Sequence, residues 1–526
     1  MMKKILETSP DGWVHFVKMS QPCIGDNVAD ADRLIAHLKK QIGSHSIQMD
    51  LSLISELPCI FRKADFHVLC TLFGCEKHYH LIDVQPADDY LPVYGLAIDL
   101  GTTRVALRIV DLIHQTILIE TAFENPQSGI APDVLTRIHY TDQIDGLKHL
   151  QQLIIEGING EIAKACDSCF IHSNRIVCLS IAGNTCMTHL LLGLPPHAII
   201  REPYIPAINK QFILPASDLN IRIHPQARMF VFPNIGSYFG GDLIAGILSL
   251  DMIHLEKTTI MVDVGTNAEV VLGNKDWMLA CAGAAGPALE GGVSKIGMTA
   301  GPGAIERIQL HAGTSEFVYQ TIGNKKPVGI CGSGIIDLAA VLFQSGMLDI
   351  RGKFVPKYCK DRLTVIDDLM HFIVIPKDQS DTGEDLTISQ ADIDSLIRSK
   401  AAMYTILTTI SHSVGLSLSE ISTFYVAGTF GEYIDPLSAI TIGMIPDLPL
   451  ERYRPVGNTS LEGATRTLLS RADTESIPAI HQHITYMELN VNQEFMNQFS
   501  AAKFLPHTDR SLFPSVYELE RKGGIH

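Results

Sequence analysis

The sequence predicts an α/β chain in which a small N-terminal α/β domain precedes two duplicated mixed-sheet lobes around a shared cleft. Three observations carry this expectation. Ala97-Ile-Asp-Leu-Gly-Thr-Thr-Arg-Val-Ala-Leu107 can be laid over Met261-Val-Asp-Val-Gly-Thr-Asn-Ala-Glu-Val-Val271. Each copy is a hydrophobic strand, an Asp, a Gly-Thr turn and a second apolar run, the pattern of a hairpin with backbone N–H groups at its tip. The two aspartates stand 164 residues apart, about one domain length. A third cluster, Tyr425-Val-Ala-Gly-Thr-Phe-Gly431, ends another apolar strand, with Gly428 lying 165 residues beyond Asp263.

Composition narrows the function classes. A chain of 526 residues, 46% hydrophobic and 19% charged, has the make-up of a globular protein of two or three domains. Its formal charge of −16 argues against a nucleic-acid scaffold or a partner of an anionic membrane surface. Small anions remain suitable ligands where backbone donors or a metal ion supply local positive potential. The longest stretch without Asp, Glu, Lys or Arg, 176–200, is broken by Gly183-Asn184-Thr185, His189 and Pro195-Pro196. It reads as a buried strand, a loop and a helix rather than a membrane span. No apolar run follows Lys3 and Lys4 before Asp11, so no signal peptide is expected. Eleven irregularly spaced cysteines point to reduced thiols and a cytoplasmic location.

Along the chain, residues 1–90 form the small domain, with a strand over 13–19, a helix over 29–42, and strands over 66–73 and 80–84. Pro86 to Pro92 is the connector to a first lobe over 91–255 and a second over 256–526, whose C-terminal segments are expected to pack back on the first. In the second lobe, Gly329-Ile-Cys-Gly-Ser-Gly334 leads into an apolar helix over 335–343 whose N-terminus suits an anion, with Gly332 and Ser333 as donors. The acidic stretch 367–394 is expected to be mostly irregular around the apolar run 372–375. Thr387-Ile-Ser-Gln390 is expected to cap a helix that continues to about Val414.

Glycine lets a backbone approach a phosphate closely, and Thr hydroxyls add short donors. Asp99 and Asp263 therefore read as carboxylates that organise Mg²⁺, directly or through its water shell. Gly101, Thr102, Thr103, Gly265, Thr266 and Asn267 read as the phosphate cradle. Alone, each hairpin would be an ordinary turn; two in one pattern point to phosphate binding. His189 reads as a core histidine, and Met187, Met298 and Met444 as packing.

With those residues in place, the sequence resembles the superfamily of acetate and sugar kinases, heat-shock chaperones and actin. The fold so implied is α/β, a two-lobed actin-like ATPase fold closing on Mg-ATP. Its phosphate loops fall on Asp99–Thr103 and Asp263–Asn267 and its adenosine loop on Ala427–Gly431, giving Gly428, Thr429 and Gly431 as nucleotide contacts. Its connecting segments fall on Ser180–Leu190 and Ile330–Leu338. Asn184 would then orient the attacking water, and Glu290 would touch the ribose or the metal. A narrower resemblance rests on Asn125-Pro-Gln127, Ala182-Gly-Asn-Thr-Cys-Met-Thr-His189, Gly265-Thr-Asn-Ala-Glu269, Ala284–Gly291, Gly329–Asp337 and Val456-Gly-Asn458. These look like the reductive activators of corrinoid proteins, with residues 1–90 similar to that family's middle domain.

The narrower resemblance implies an ATPase that drives a low-potential electron onto cob(II)alamin in a methyltransferase system, with a corrinoid protein as partner and a homodimer as an assembly it allows. The family typically carries an iron–sulfur cluster in an N-terminal ferredoxin-like domain. The spacing C-x₄-C-x₂-C is absent here, and Cys166-Asp-Ser-Cys169 is a lone pair. The expectation is a chain without its own cluster, served by a separate iron–sulfur donor. Arg104, Ala268 and Thr429 depart from the family's usual small residues, glycine, and Gly or Ser. Two alternatives stand beside the ATPase: a small-molecule kinase on the same fold, against which Asn184 stands where a carboxylate base would be needed, and a nucleotide-gated binding module without turnover.

Overall fold

A computed structural model describes residues 9–43, 46–265, 268–283, 296–311, 317–489 and 493–517. The chain divides into two compact units: residues 1–253 with 459–483, and 254–458 with 484–526.

In the first unit the N-terminal domain is a four-stranded sheet in the order Val14–Lys18, His67–Cys75, His78–Pro86, Ser46–Met49. Helix Asp30–Ile42 buries Leu34 and Leu38, and helix Leu51–Lys63 buries Leu53, Leu57 and Phe61 at the i, i+4, i+8 spacing of a single helical face. Trp13 fastens this sheet within the unit. It is buried, meets Phe73 and Tyr79 edge-on at 5.0 and 5.5 Å, and donates its indole N–H to the Thr467 carbonyl at 2.8 Å.

His15, beside it, is buried, and burial together with Arg471 pushes its pKa down to about 4. The folded value lies below that of the unfolded chain, so the unfolded state binds more protons between the two. The stability held by neutral His15 is therefore complete above about pH 6.5 and is lost as pH falls towards 4, about 3 kcal/mol in all. A His15→Phe variant is expected to lose less stability than the wild type over that interval, read from urea midpoints against pH. Parallel profiles would refute this.

The central sheet of the first unit runs Thr116–Glu124, Arg104–Asp111, Tyr94–Leu100, Ile176–Gly183, Arg228–Val231, Phe212–Pro215. The first three strands form an antiparallel meander, and the next two lie parallel to Tyr94–Leu100 and to each other. Alternation along Tyr94–Leu100 divides its side chains. Leu96, Ile98 and Leu100 join a core with Leu150, Ile154 and Ile158 of helix Gly146–Cys169. Asp99 is on the opposite face, towards helix Thr459–Leu469.

The second unit repeats this order. Met278–Gly283, Ala268–Gly273 and Thr259–Val264 form the meander, Thr423–Ala427 and Tyr453–Gly457 are the two parallel strands, and Ile484–Tyr486 extends the far edge. The duplication expected from the two Asp-X-Gly-Thr hairpins is thus a repeat of five strands in one order. Helices Gly332–Gln344 and Gln390–Ser413 supply much of the apolar core.

Two local expectations are corrected. The stretch 367–394 is not mostly irregular: Leu363–Ile366, Leu369–Ile375 and Leu386–Ser389 form a three-stranded sheet, and most of the acidic residues lie in the connections. The cap of the long helix is Ser389 with Asp392, not Thr387 with Gln390. Ser389 Oγ accepts from Asp392 N at 3.1 Å and Asp392 accepts from Ser389 N at 2.8 Å, while Thr387 belongs to the strand before. Among the described residues no helix is long and apolar enough to cross a membrane.

Candidate functional site

In the first unit the predicted residues gather at one end of the central sheet. Asp99 pairs in register with Ala106 on one side and Ala182 on the other. Its Oδ1 accepts from Ser460 Oγ at 2.8 Å, in the first turn of helix Thr459–Leu469. The turn that follows is tight: a Cβ on Gly101 would lie 2.2 Å from the Arg104 carbonyl oxygen. Three consecutive carbonyls of this turn are drawn inward. Asn125 Nδ2 donates to Gly101 O at 2.9 Å, Arg137 Nη2 to Thr102 O at 2.7 Å, and Asn125 N to Thr103 O at 2.8 Å. In trans peptides the next N–H points the other way, so the Thr102 and Thr103 amides face away from this buried layer. Arg104, the departure from the family's small residue, is exposed at the start of the returning strand and leaves the turn unobstructed.

The connecting segment abuts the turn. Asn184 caps helix Thr185–Leu192, its Oδ1 accepting from Met187 N at 2.9 Å, and its Nδ2 donates to Thr102 Oγ1 at 3.0 Å. One amide thus locks helix and hairpin together. His189 is fully buried: Nδ1 lies 2.7 Å from Thr185 O, and Nε2 accepts from Ala207 N at 2.9 Å. Burial lowers its pKa, as befits a neutral core histidine. Asp242 sits beside Asn184 without a sequence signal that singled it out. A Cβ on Gly240 would lie 2.4 Å from Asn184 Cα and 2.7 Å from Asp242 Oδ1, so only glycine lets helix Gly241–Ser249 start there.

In the second unit Asp263 pairs with Glu269 on one side and Ala427 on the other. Gly428 opens helix Gly428–Tyr433 at φ +82°, and a Cβ there would lie 2.8 Å from Asp263 Oδ1. Gly431 tolerates no side chain either, its Cβ position lying 2.6 Å from Val426 Cγ1. The short helix lies against both the Asp263 strand and helix Gly332–Gln344. Gly332 and Ser333 form the first turn of that second helix, and Ser333 is buried with its hydroxyl donating to Glu306 O at 3.1 Å. Gly265 is exposed after the strand. Thr266, Asn267 and Glu290, and the side chain of Thr429, lie outside the described residues.

Sequence reasoning missed Ser460, Arg137 and Asp242, each placed by long-range packing; Asn125 was noticed only as part of a family motif. Among the described residues no three His, Cys, Asp or Glu side chains gather as a metal centre. Each unit offers a single carboxylate at its strand end, Asp99 in one and Asp263 in the other, and a lone carboxylate is a donor of the kind Mg²⁺ takes, since that ion keeps several waters. Cys166 is buried on helix Gly146–Cys169, and its thiol is pushed up to about 11 by burial.

Comparison with known proteins fixes the family. The RACo linker region matches residues 3–90, the RACo middle region 94–255, and the C-terminal domain of RACo, the ASKHA domain, 257–517. A solved structure described as a reductive activator for a corrinoid, iron–sulfur protein superposes with a TM-score of 0.87 at 37% identity, covering 98% of this chain and 82% of its own. The chain belongs to the reductive activators of corrinoid proteins. The corrinoid activation enzyme RamQ of Eubacterium limosum is 31% identical over 428 residues, 80% of this chain and 72% of its own. A reductase of Methanosarcina barkeri, described as acting on a Co(II) methylated amine-specific corrinoid protein, is 24% identical over 441 residues, 77% of this chain and 76% of its own. In this activator family the name middle region belongs to 94–255, and the N-terminal unit is the linker region rather than the middle domain expected above.

Proposed function

We propose that this activator binds Mg-ATP on its two Asp-X-Gly-Thr hairpins and hydrolyses it to drive reduction of a corrinoid protein's cob(II)alamin to cob(I)alamin. The observation that carries this reading is the Gly101–Thr103 turn, whose three carbonyls are held inward, which turns the Thr102 and Thr103 amides away from the buried layer. That is a backbone site for an anion. Asp99 and Asp263 would hold Mg²⁺ through its waters, and the ion would offset phosphate charge. Thr102, Thr103, Thr266 and Asn267 donate to the phosphates. The adenosine is taken by Gly428, Thr429 and Gly431, with Glu290 at the ribose and Gly332 and Ser333 contributing backbone donors. Asn184 orders the connecting segment against Thr102 and orients the water whose oxygen attacks the terminal phosphorus, giving ADP and phosphate. The electron comes from a separate low-potential iron–sulfur donor and reduces Co(II) to Co(I). The setting is a cytoplasmic methyltransferase system.

The test is release of inorganic phosphate from Mg-ATP with and without a cob(II)alamin-loaded corrinoid protein, run beside the cobalt spectrum with a chemical reductant. Partner-stimulated phosphate release with appearance of Co(I) is expected. Nucleotide binding without release would support a gated module instead. Asp242 favours a second reading, a small-molecule kinase, because it places a carboxylate beside Asn184 where such a base is needed. ADP formed with an acceptor and without phosphate release would decide for it.

A further inference from the structure

Arg137 is 0% exposed, on the seven-residue helix Val134–Tyr140, and all five of its N–H donors are placed. Nε donates to Ala131 O at 3.0 Å, Nη1 to Gln127 Oε1 at 3.1 Å and Met187 Sδ at 3.0 Å, and Nη2 to Thr102 O at 2.7 Å and Ser128 Oγ at 3.0 Å. None of these acceptors is ionised. A buried guanidinium is ordinarily matched by a carboxylate, since an uncompensated charge in the interior is costly. Burial lowers the pKa of Arg137 to about 10 against opposing pulls from Cys186 and then Asp133, and it remains a cation at neutral pH. Asp133 meanwhile caps the helix itself through Thr136.

We propose that Arg137 is the positioning cation of the first phosphate hairpin: it holds the Thr102 carbonyl inward so that the turn's amides face a phosphate, and the bound phosphate supplies a negative charge that none of this buried guanidinium's hydrogen-bond partners carries. This rests on the nucleotide reading above and deepens it. The guanidinium sits at one edge of a single peptide group and the phosphate at the opposite edge. The peptide dipole between them is aligned for both, C=O towards the guanidinium and N–H towards the anion. The guanidinium thereby stabilises a bound phosphate through the peptide, and the phosphate stabilises the guanidinium.

The decisive variant adds such a counter-charge. Ser128→Asp places a carboxylate on Nη2 without removing the Thr102 bond, and Ser128→Asn has nearly the same shape without the charge. Ser128→Asp is expected to melt at or above the wild-type temperature when empty, yet to bind Mg-ATP about tenfold more weakly in calorimetry. Ser128→Asn is expected to bind as the wild type does. Arg137→Gln, where it folds, is expected to weaken Mg-ATP about 10- to 100-fold, with Arg137→Lys recovering part of the loss. A merely structural Arg137 would move empty-state stability and affinity in the same direction. Wild-type affinity in a folded Ser128→Asp, or stability and affinity falling together, would overturn the proposal. No Mg-ATP binding by the wild type would instead bring down the nucleotide reading on which it rests.

Discussion

Asp263→Asn is expected to lower phosphate release from Mg-ATP by about two to three orders of magnitude while leaving the fold intact. The expectation comes from how closely the side chain is held. Its strand is clamped between Ala268–Gly273 and Thr423–Ala427, so the backbone at Asp263 has little freedom. The carboxylate is walled by the backbone of Gly428, where a methyl group would come within 2.8 Å of Oδ1. A side chain fixed in this way can hold a water-shelled cation without reorganising during the reaction. Asparagine keeps the shape and removes the charge, so a loss can be assigned to the metal rather than to packing. Gly428→Ala approaches the same carboxylate from the other side. It adds a side chain at φ +82° and forces Oδ1 away, and it should raise KM for Mg-ATP more than it lowers the melting temperature. Near-normal phosphate release by a folded Asp263→Asn would remove Asp263 from the metal site.

Which parts of this architecture could be read from the sequence follows from how local their causes are. The hairpins were legible because strand, aspartate and glycine stand within a dozen residues, and so was helix Gly332–Gln344 behind its glycines. Helix Leu51–Lys63 gave no such signal, since Pro58 interrupts its middle and only burial of Leu53, Leu57 and Phe61 defines it. The sheet within 363–389 was obscured because its two outer strands span only four residues each and the acidic connections dominate the composition. At the site, Asp99 was evident, but the hydroxyl it accepts from belongs to Ser460, 361 residues further on. Arg137 was equally invisible. Its helix is brief, and its meaning depends on an acceptor 35 residues earlier and on the absence of a carboxylate among its hydrogen-bond partners. A motif shows which atoms meet a ligand, whereas the groups that aim those atoms are fixed by tertiary packing.

Gly463→Ala should destabilise the protein by about 3 kcal/mol, although alanine for glycine inside an exposed helix would ordinarily stabilise by up to about 1 kcal/mol. The sign reverses because Gly463, on helix Thr459–Leu469, lies against the backbone of helix Gly241–Ser249. A Cβ there would be 2.1 Å from Ala245 O and 2.6 Å from Ala245 Cα. The obstacle is main chain, so trimming Ala245 to glycine gives no rescue, and relief requires the two helices to separate. Separation has a chemical consequence as well as a mechanical one. The first helix carries Ser460 to Asp99, and the second begins at Gly240, against Asn184. A urea midpoint reduced in proportion, together with weaker Mg-ATP binding in the fraction that remains folded, is the expected pair of results. An unchanged or raised midpoint would mean that the helices have room to spare, and then close packing at Gly463 could not be what holds Ser460 at the carboxylate.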